Sequence, residues 1–187
     1  MAAAIITVFG SSRCGESDPL YPLALELGKA LGKAGFGVAS GGYGGAMEAV
    51  SQGAAEAGGR VIGVVAKALS SNANPWVKET IVVPKWEDRL LKLISLGAGY
   101  VALPGSTGTL VELAVAWEMM RKRLLPRRPL VALGKSWRVV VEQIEAGEDD
   151  SRGVVFLTDS VTEAIATLQQ GIAEPEAMRE EGGNRLE

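Results

Sequence analysis

The chain has 187 residues, of which 19 are Lys or Arg and 22 are Asp or Glu, with a formal net charge of −3. A single domain of this length buries enough surface to fold without a metal or disulfide. With no histidine and one cysteine, the chain cannot build a Ser-His-Asp triad, a His-ligated or thiolate metal site, or an internal disulfide. The acidic balance argues against a dedicated nucleic-acid-binding protein.

No apolar run approaches the length of a membrane-spanning helix. The residues from Met1 to Phe9 lack the basic segment that opens a secretory signal peptide, and they run straight into a strand pattern. We therefore expect a cytoplasmic protein that binds neither a membrane nor nucleic acid and holds no metal.

Short apolar runs alternate with amphipathic stretches along the chain. In chain order the pattern predicts strand Ala4–Phe9, helix Pro19–Ala34, strand Phe36–Ser40, helix Ala46–Ala57, strand Arg60–Val65, a short apolar piece at Ile81–Val83, helix Trp86–Leu96, strand Tyr100–Leu103, a helix ending near Arg123, strand Pro129–Leu133, helix Trp137–Glu145, strand Val154–Leu157 and helix Val161–Gln170. This alternation predicts an α/β fold, a three-layer Rossmann-like sandwich with a central parallel sheet of six or seven strands. We expect one domain over residues 1–172 and a flexible tail over 173–187.

Three loops at the predicted carboxyl edge of the sheet are rich in small residues. They are Gly10-Ser11-Ser12-Arg13, Gly41–Gly45 and Pro104–Thr109. Open parallel sheets bind ligands at this edge. Helix N-termini with small residues offer backbone N–H groups and a positive dipole end to phosphate. The loops therefore predict a ligand that carries a phosphate.

The usual nucleotide fingerprints are absent. Gly42-Tyr43-Gly44 begins like GxGxxG, but Met47 stands where the last glycine belongs. Gly134-Lys135-Ser136 resembles the end of a P-loop, but Pro129 stands where its first glycine belongs. The first pattern therefore gives little support to NAD binding, and the second is a chance match.

The most specific segment is Pro104-Gly105-Ser106-Thr107-Gly108-Thr109-Leu110-Val111-Glu112, which follows a predicted strand and opens a helix. Its glycines let a phosphate approach the backbone, and Glu112 lies about one turn inside the helix. The spacing Thr109-x-x-Glu112 also fits a capping box. On spacing alone, capping and catalysis are equally good explanations of Glu112.

This segment resembles the PGGxGTxxE motif of the LOG (Lonely Guy) family, whose members are often described as lysine decarboxylase-like. Val8-Phe9-Gly10-Ser11-Ser12 resembles the first phosphate loop of the family, and Gly41 to Met47 its second glycine loop. Arg89, after Asp88, stands where the family carries its motif arginine. The resemblance covers about residues 4–170. It does not support lysine decarboxylation, because no lysine is marked as a Schiff base for pyridoxal phosphate.

The resemblance implies hydrolysis of the N-glycosidic bond of AMP or a modified AMP, giving base and ribose 5-phosphate, without a cofactor and in a homodimer. It implies that Arg89 and Glu112 are the catalytic pair. The residues expected to hold the phosphate or nucleotide are Gly10, Ser11, Ser12, Gly41, Gly42, Gly45, Met47, Gly105, Ser106, Thr107, Gly108 and Thr109. The chain departs from the family pattern in two places, because Ser106 replaces a glycine and Leu90 replaces a lysine. The missing lysine removes one positive charge that would favour the substrate.

A carboxylate at Glu112 would stabilise an oxocarbenium-like sugar or orient the attacking water, and an arginine beside it would keep it ionised. Without the resemblance, Arg89 is better explained as an exposed helix residue paired with Glu87 or Asp88. The superfamily also includes molybdenum-cofactor carrier proteins, which need no catalytic pair. A non-catalytic nucleotide carrier or sensor is therefore the alternative function.

Overall fold

A computed structural model describes residues 3–173 of the chain. Its strands are β1 (Ile5–Phe9), β2 (Gly37–Ser40), β3 (Val61–Ala66), β4 (Glu79–Val83), β5 (Gly99–Ala102), β6 (Leu130–Leu133) and β7 (Val155–Thr158). They form one parallel sheet in the order β4-β3-β2-β1-β5-β6-β7. The apolar piece at Ile81–Val83 is thus part of a complete edge strand, because β4 pairs with β3 along five residues.

The helices cover both faces of this sheet. They are α1 (Leu20–Lys33), α2 (Ala46–Glu56), α3 (Trp86–Leu96), α4 (Thr107–Arg121), α5 (Trp137–Gly147) and α6 (Val161–Ala173), with a short 3-10 turn at Asp149–Ser151. Leu27 of α1, Val50 of α2 and Leu168 of α6 share one apolar core. Leu93 of α3 and Leu113 of α4 belong to a second core on the opposite face. The predicted three-layer Rossmann-like sandwich is confirmed.

Most predicted element ends differ from the structure by one to three residues, and two of these differences have a clear local reason. Phe36 precedes β2 because its N–H donates to the carbonyl of Leu31 at 3.0 Å and closes the end of α1 instead of joining the sheet. The helix expected to reach about Arg123 ends at Arg121, because Arg123 turns the chain with a left-handed φ of 57°. The apolar pattern encodes neither the hydrogen bond of Phe36 nor the backbone turn at Arg123.

The order of the strands reverses direction between β1 and β5. From β1 the chain builds outwards through β2, β3 and β4, whereas β5, β6 and β7 extend the other side. Phe9 pairs with Ala102, so the two strands end side by side. The loop Gly10–Pro19 and the loop Leu103–Ser106 therefore open at the position where ligands bind open α/β sheets.

Within residues 3–173, no helix is long and apolar enough to cross a membrane. The cytoplasmic location stays a prediction. So does the division into a domain over 1–172 and a tail over 173–187, because Met1, Ala2 and every tail residue beyond Ala173 lie outside the described residues.

Candidate active site

The first two small-residue loops are joined to each other. The N–H of Ala46 donates to the carbonyl oxygen of Ser11 at 2.9 Å. Gly45 has a φ of +69°, and a Cβ there would lie only 2.6 Å from the same oxygen. The glycine at this position therefore lets the second loop close onto the first, and the two loops form one surface at the carboxyl edge of the sheet.

Arg89 lies in the first turn of α3, and its side chain turns inwards. The residue is 6% exposed. Nε donates to the carbonyl of Val64 at 2.9 Å, Nη1 lies 3.5 Å from Oε1 of Glu112, and Nη2 lies 3.7 Å from Sδ of Met47. The alternative of an exposed arginine paired with its helix neighbours is therefore wrong. The structure brings together Arg89, Glu112 and Met47, which the sequence places in three separate helices.

Gly41 makes room for this guanidinium. A Cβ at Gly41 would overlap the Nη2 atom of Arg89 and press on Sδ of Met47. Gly41 and Gly42 are both buried, so this part of the second loop contacts the protein itself. A glycine is therefore required at position 41 to leave room for the side chain of Arg89. The expected contact of Gly41 with a nucleotide stays a prediction.

Glu112 lies in the second turn of α4 and is 9% exposed. Helix α4 begins at Thr107, with Ser106 as its N-cap residue. A capping box needs its acid three residues after the N-cap, whereas Glu112 follows Ser106 by six positions. Its carboxylate faces Arg89, so the capping explanation is excluded.

Burial raises the pKa of Glu112 to about 7, although the nearby Arg89 acts to lower it. Arg89 thus acts in the expected direction but does not keep this carboxylate fully ionised at neutral pH, because burial raises the pKa more than a cation 3.5 Å away lowers it. A carboxyl group with a pKa near neutrality is present in both forms at pH 7. It can accept and return a proton during a reaction.

The third loop leads to the N-terminus of α4. Gly105, Ser106, Thr107 and Gly108 are exposed, whereas Thr109 is buried beneath Gly105. The first N–H groups of a helix have no acceptor within it and carry the positive end of the dipole. This end of α4 is therefore able to bind an anion through its backbone, while the side chain of Thr109 packs inside the protein.

A cavity of about 510 Å³ lies between the first and third loops, a size that suits a small-molecule ligand. It is lined by Ser11, Arg13, Cys14, Asp18, Pro19, Leu20, Leu23, Pro104, Gly105 and Ser106. Three residues expected to bind phosphate or nucleotide, Ser11, Gly105 and Ser106, thus line it. Arg89 and Glu112 are not among its lining residues. They belong to α3 and α4, whose apolar residues form the core on the opposite face of the sheet from α1.

Two residues that support the site were missed by sequence reasoning. The ring of Tyr43 lies 5.2 Å from Cζ of Arg89, and the side chain of Asn74 donates to the carbonyls of Gly42 and Tyr43. The available signals were a single aromatic residue inside a run of glycines, and an Asn-Pro turn. Among the described residues, no three His, Cys, Asp or Glu side chains cluster as metal ligands would.

The fold and the site together define a class of protein, a Rossmann-like α/β domain with a buried arginine–glutamate pair and an exposed, glycine-containing helix start at the carboxyl edge of its sheet. The chain belongs to the SLOG cluster4 family, whose model matches residues 3–165. The resemblance to LOG-like proteins is therefore confirmed.

The proteins that are similar to this chain include phosphoribohydrolases and a cofactor carrier protein. The chain is 27% identical to a probable cytokinin riboside 5'-monophosphate phosphoribohydrolase of rice (Oryza sativa subsp. japonica) over 181 residues, which cover 90% of this chain and 77% of the relative. It is 28% identical to a cytokinin riboside 5'-monophosphate phosphoribohydrolase of Rhodococcoides fascians, covering 88% of each chain. The structure of the molybdenum cofactor carrier protein of Chlamydomonas reinhardtii superposes with a TM-score of 0.72 at 27% identity, covering 91% of this chain and 99% of that one.

Proposed function

We propose that this protein is a nucleoside 5′-monophosphate phosphoribohydrolase that cleaves the N-glycosidic bond of AMP or a modified AMP. The observation that carries the proposal is the buried pair of Arg89 and Glu112, which lie 3.5 Å apart, with Glu112 on the helix whose exposed start can bind an anion. A protein that only binds a phosphate needs the helix end. It does not need a buried carboxyl group whose pKa is about 7.

In the proposed reaction, the phosphate of the substrate binds the N–H groups at the start of α4, and the sugar lies towards Glu112. The ionised form of Glu112 stabilises the positive charge that develops on the sugar and takes a proton from the attacking water. Water adds to C1′ as the bond to the base breaks, and the departing base takes up a proton. Arg89 orients Glu112, and the fixed positive charge of its guanidinium stabilises negative charge on the substrate.

This role for Glu112 has a pH signature. Only the ionised form accepts a proton, and the fraction in that form increases as the pH rises through about 7. The rate of base release in the unsaturated regime is therefore expected to increase across the same interval.

A non-catalytic carrier or sensor is the second candidate function. It is favoured by the likeness to the Chlamydomonas reinhardtii carrier protein, which covers nearly the whole of both chains. Such a protein would use the cavity and the helix end to hold a phosphorylated ligand. It would bind one equivalent without releasing a product.

We also propose that the protein forms a homodimer through α3 and α4. Leu91 on α3 is 52% exposed and Val111 on α4 is 37% exposed, although both are large apolar residues. The same two helices carry Arg89 and Glu112, so the second subunit would lie close to the site. Sedimentation equilibrium of the wild type and of Leu91→Asp tests this, because a dimer through this face dissociates in the variant.

The decisive experiment is incubation with AMP, GMP, CMP and UMP, followed by chromatography of the free base. The wild type runs beside Glu112→Gln and beside a matched control, Glu118→Gln. Glu118 lies on the same helix but is exposed and paired with Arg121. Release that is lost in Glu112→Gln and kept in Glu118→Gln supports the hydrolase. Stoichiometric binding without release from any of the four nucleotides contradicts it and favours a carrier or sensor.

A further inference from the structure

Tyr43 is the only residue with a side chain in the run from Gly41 to Gly45. Its ring lies against the guanidinium of Arg89, with the ring centroid 5.2 Å from Cζ. It belongs to none of the three apolar cores formed by the described residues. A general need for apolar packing therefore does not explain an aromatic residue at this position.

The hydroxyl group of Tyr43 is anchored to backbone beyond its own loop. It accepts a hydrogen bond from the N–H of Ala66 at 2.9 Å and donates to the carbonyl of Ser70 at 3.0 Å. Ala66 is the last residue of β3, so one end of the side chain is fixed to the sheet. The backbone of Tyr43 is held as well, because Asn74 donates to its carbonyl at 3.0 Å. Tyr43 is thus held both at its hydroxyl group and at its backbone.

The other partners of the Arg89 side chain leave its outer end weakly held. Nε makes one short hydrogen bond, to Val64, whereas the partners of Nη1 and Nη2 lie at 3.5 and 3.7 Å. The only short hydrogen bond therefore restrains the guanidinium at Nε, and its two outer nitrogens are held less firmly. The face of the Tyr43 ring, with its centroid 5.2 Å from Cζ, attracts the cation and restrains its movement.

We propose that Tyr43 is a positioning residue for Arg89, and that its anchored ring holds the guanidinium in the orientation that directs it at Glu112. Its effect on catalysis rests on the proposed hydrolase function, whereas its effect on the arginine does not. A misplacement of a catalytic group by about 1 Å is enough to slow an enzyme substantially. Loss of the ring therefore acts on the chemical step more than on binding of the phosphate, which occurs at α4.

The first test measures the arginine directly and needs no substrate. In protein labelled with ¹⁵N-arginine, the Nε–H signal of Arg89 is identified by its absence in Arg89→Lys, and its exchange with solvent deuterium is followed. We expect Tyr43→Leu to accelerate this exchange by about tenfold or more, and Tyr43→Phe, which keeps the ring, by less than about threefold. Tyr43→Met replaces the leucine variant if that one does not fold.

Tyr21→Leu is the matched control. Tyr21 is a partly buried tyrosine on α1 whose hydroxyl bonds to Gln52, remote from Arg89. Its replacement measures the loss of stability caused by removing a tyrosine, read from the unfolding midpoint. A purely structural role for Tyr43 would lower the midpoint in the same way and leave the exchange of the Arg89 Nε–H unchanged.

The second test is kinetic. We expect Tyr43→Leu to lower kcat for base release by about tenfold or more, with KM changed less than about threefold, and Tyr43→Phe to restore most of kcat. Exchange in Tyr43→Leu or Tyr43→Met that stays within about twofold of the wild type overturns the proposal, whatever the activity. If the wild type releases no base, the proposed function fails, and the exchange experiment still decides the role of Tyr43.

Discussion

The loop Gly41–Gly45 and the loop Pro104–Thr109 lie at the same edge of the sheet and are both rich in glycine, but their glycines have different surroundings. In the loop Gly41–Gly45, a Cβ at Gly41 would overlap Arg89, and one at Gly45 would lie 2.6 Å from the oxygen of Ser11. In the loop Pro104–Thr109, a Cβ at Gly105 would overlap the side chain of Thr109, whereas Gly108 is exposed and has no atom within 4 Å of such a Cβ. The folded protein itself therefore requires Gly41, Gly45 and Gly105, but not Gly108.

Gly108 in the loop Pro104–Thr109 is therefore the better indicator of a ligand. A glycine that nothing in the chain crowds costs stability in a helix without any gain in packing. At the start of α4 that cost is understandable if a phosphate must approach the backbone closely. The comparison thus divides the expected phosphate residues into those that build the site and those that are free to contact the substrate.

The largest effect is expected from Gly41→Ala. The added methyl group must displace the guanidinium of Arg89, and overpacking of this kind lowers the free energy of unfolding by about 3 kcal/mol. Urea denaturation measures the loss, and base release should fall with it. Gly44→Ala is the control, because the nearest atom to its Cβ is 3.8 Å away. Equal stability of the two variants would show that the loop Gly41–Gly45 is not built around Arg89.

The next effect concerns Glu112. This residue lies on the helix that follows the loop Pro104–Thr109, and it faces Arg89, which packs against Gly41. Its pKa is raised to about 7 in the folded protein and returns to an ordinary value on unfolding. The folded state therefore binds the extra proton, and the stabilisation is complete at low pH and lost as the pH rises through about 7.

Between pH 5 and pH 8, the unfolding free energy of the wild type should fall by about 2–3 kcal/mol relative to Glu112→Gln, which cannot titrate. Denaturation of both proteins at the two pH values measures this difference. A constant difference would mean that Glu112 is not desolvated, and the contrast between a buried pair and an open loop would be lost.

A smaller and opposite effect is expected for Gly108→Ala. Alanine is favoured over glycine in a helix, so stability should rise by about 0.5–1 kcal/mol. The methyl group would crowd a bound phosphate, and AMP affinity should weaken by about tenfold. Thermal unfolding and calorimetric titration measure the two effects. Gly147→Ala, at an equally open glycine at the end of α5, should leave AMP binding unchanged. Unchanged affinity in Gly108→Ala would refute the division between the two loops.

The smallest effect lies at the other end of α4, where a left-handed position carries no glycine. Arg123 has a φ of 57°, and the N–H of Leu124 closes the helix onto the carbonyl of Met119 at 2.8 Å. Glycine is the residue favoured in this type of helix end, so Arg123→Gly should raise stability by about 0.5–1 kcal/mol. Lys122→Gly, at a φ of −77°, should lower it. A loss of stability in both variants would contradict this account.

Local patterns in the sequence were sufficient for the succession of strands and helices, because the period of apolar residues and the position of glycines are properties of neighbouring residues. They placed the loops at Gly10, Gly41 and Pro104 on one edge of a parallel sheet, since strand–helix alternation leaves few arrangements. The order of the strands, which puts β1 beside β5, required the tertiary structure. So did the extension of the apolar piece at Ile81–Val83 into a full edge strand.

Within the site, motif resemblance pointed to Arg89 and Glu112, but the spacing of Thr109 and Glu112 was equally compatible with a cap. Only the tertiary structure decided between them, because it buries the carboxyl group and pairs it with an arginine 23 positions away in another helix. Burial also raised the pKa of Glu112 to about 7, so that the carboxyl group is only partly ionised at neutral pH. Desolvation depends on every group packed around a side chain, and these groups come from distant parts of the chain. The sequence by itself therefore determined the residues and their loops, while the tertiary structure decided their protonation and their partners, including Tyr43.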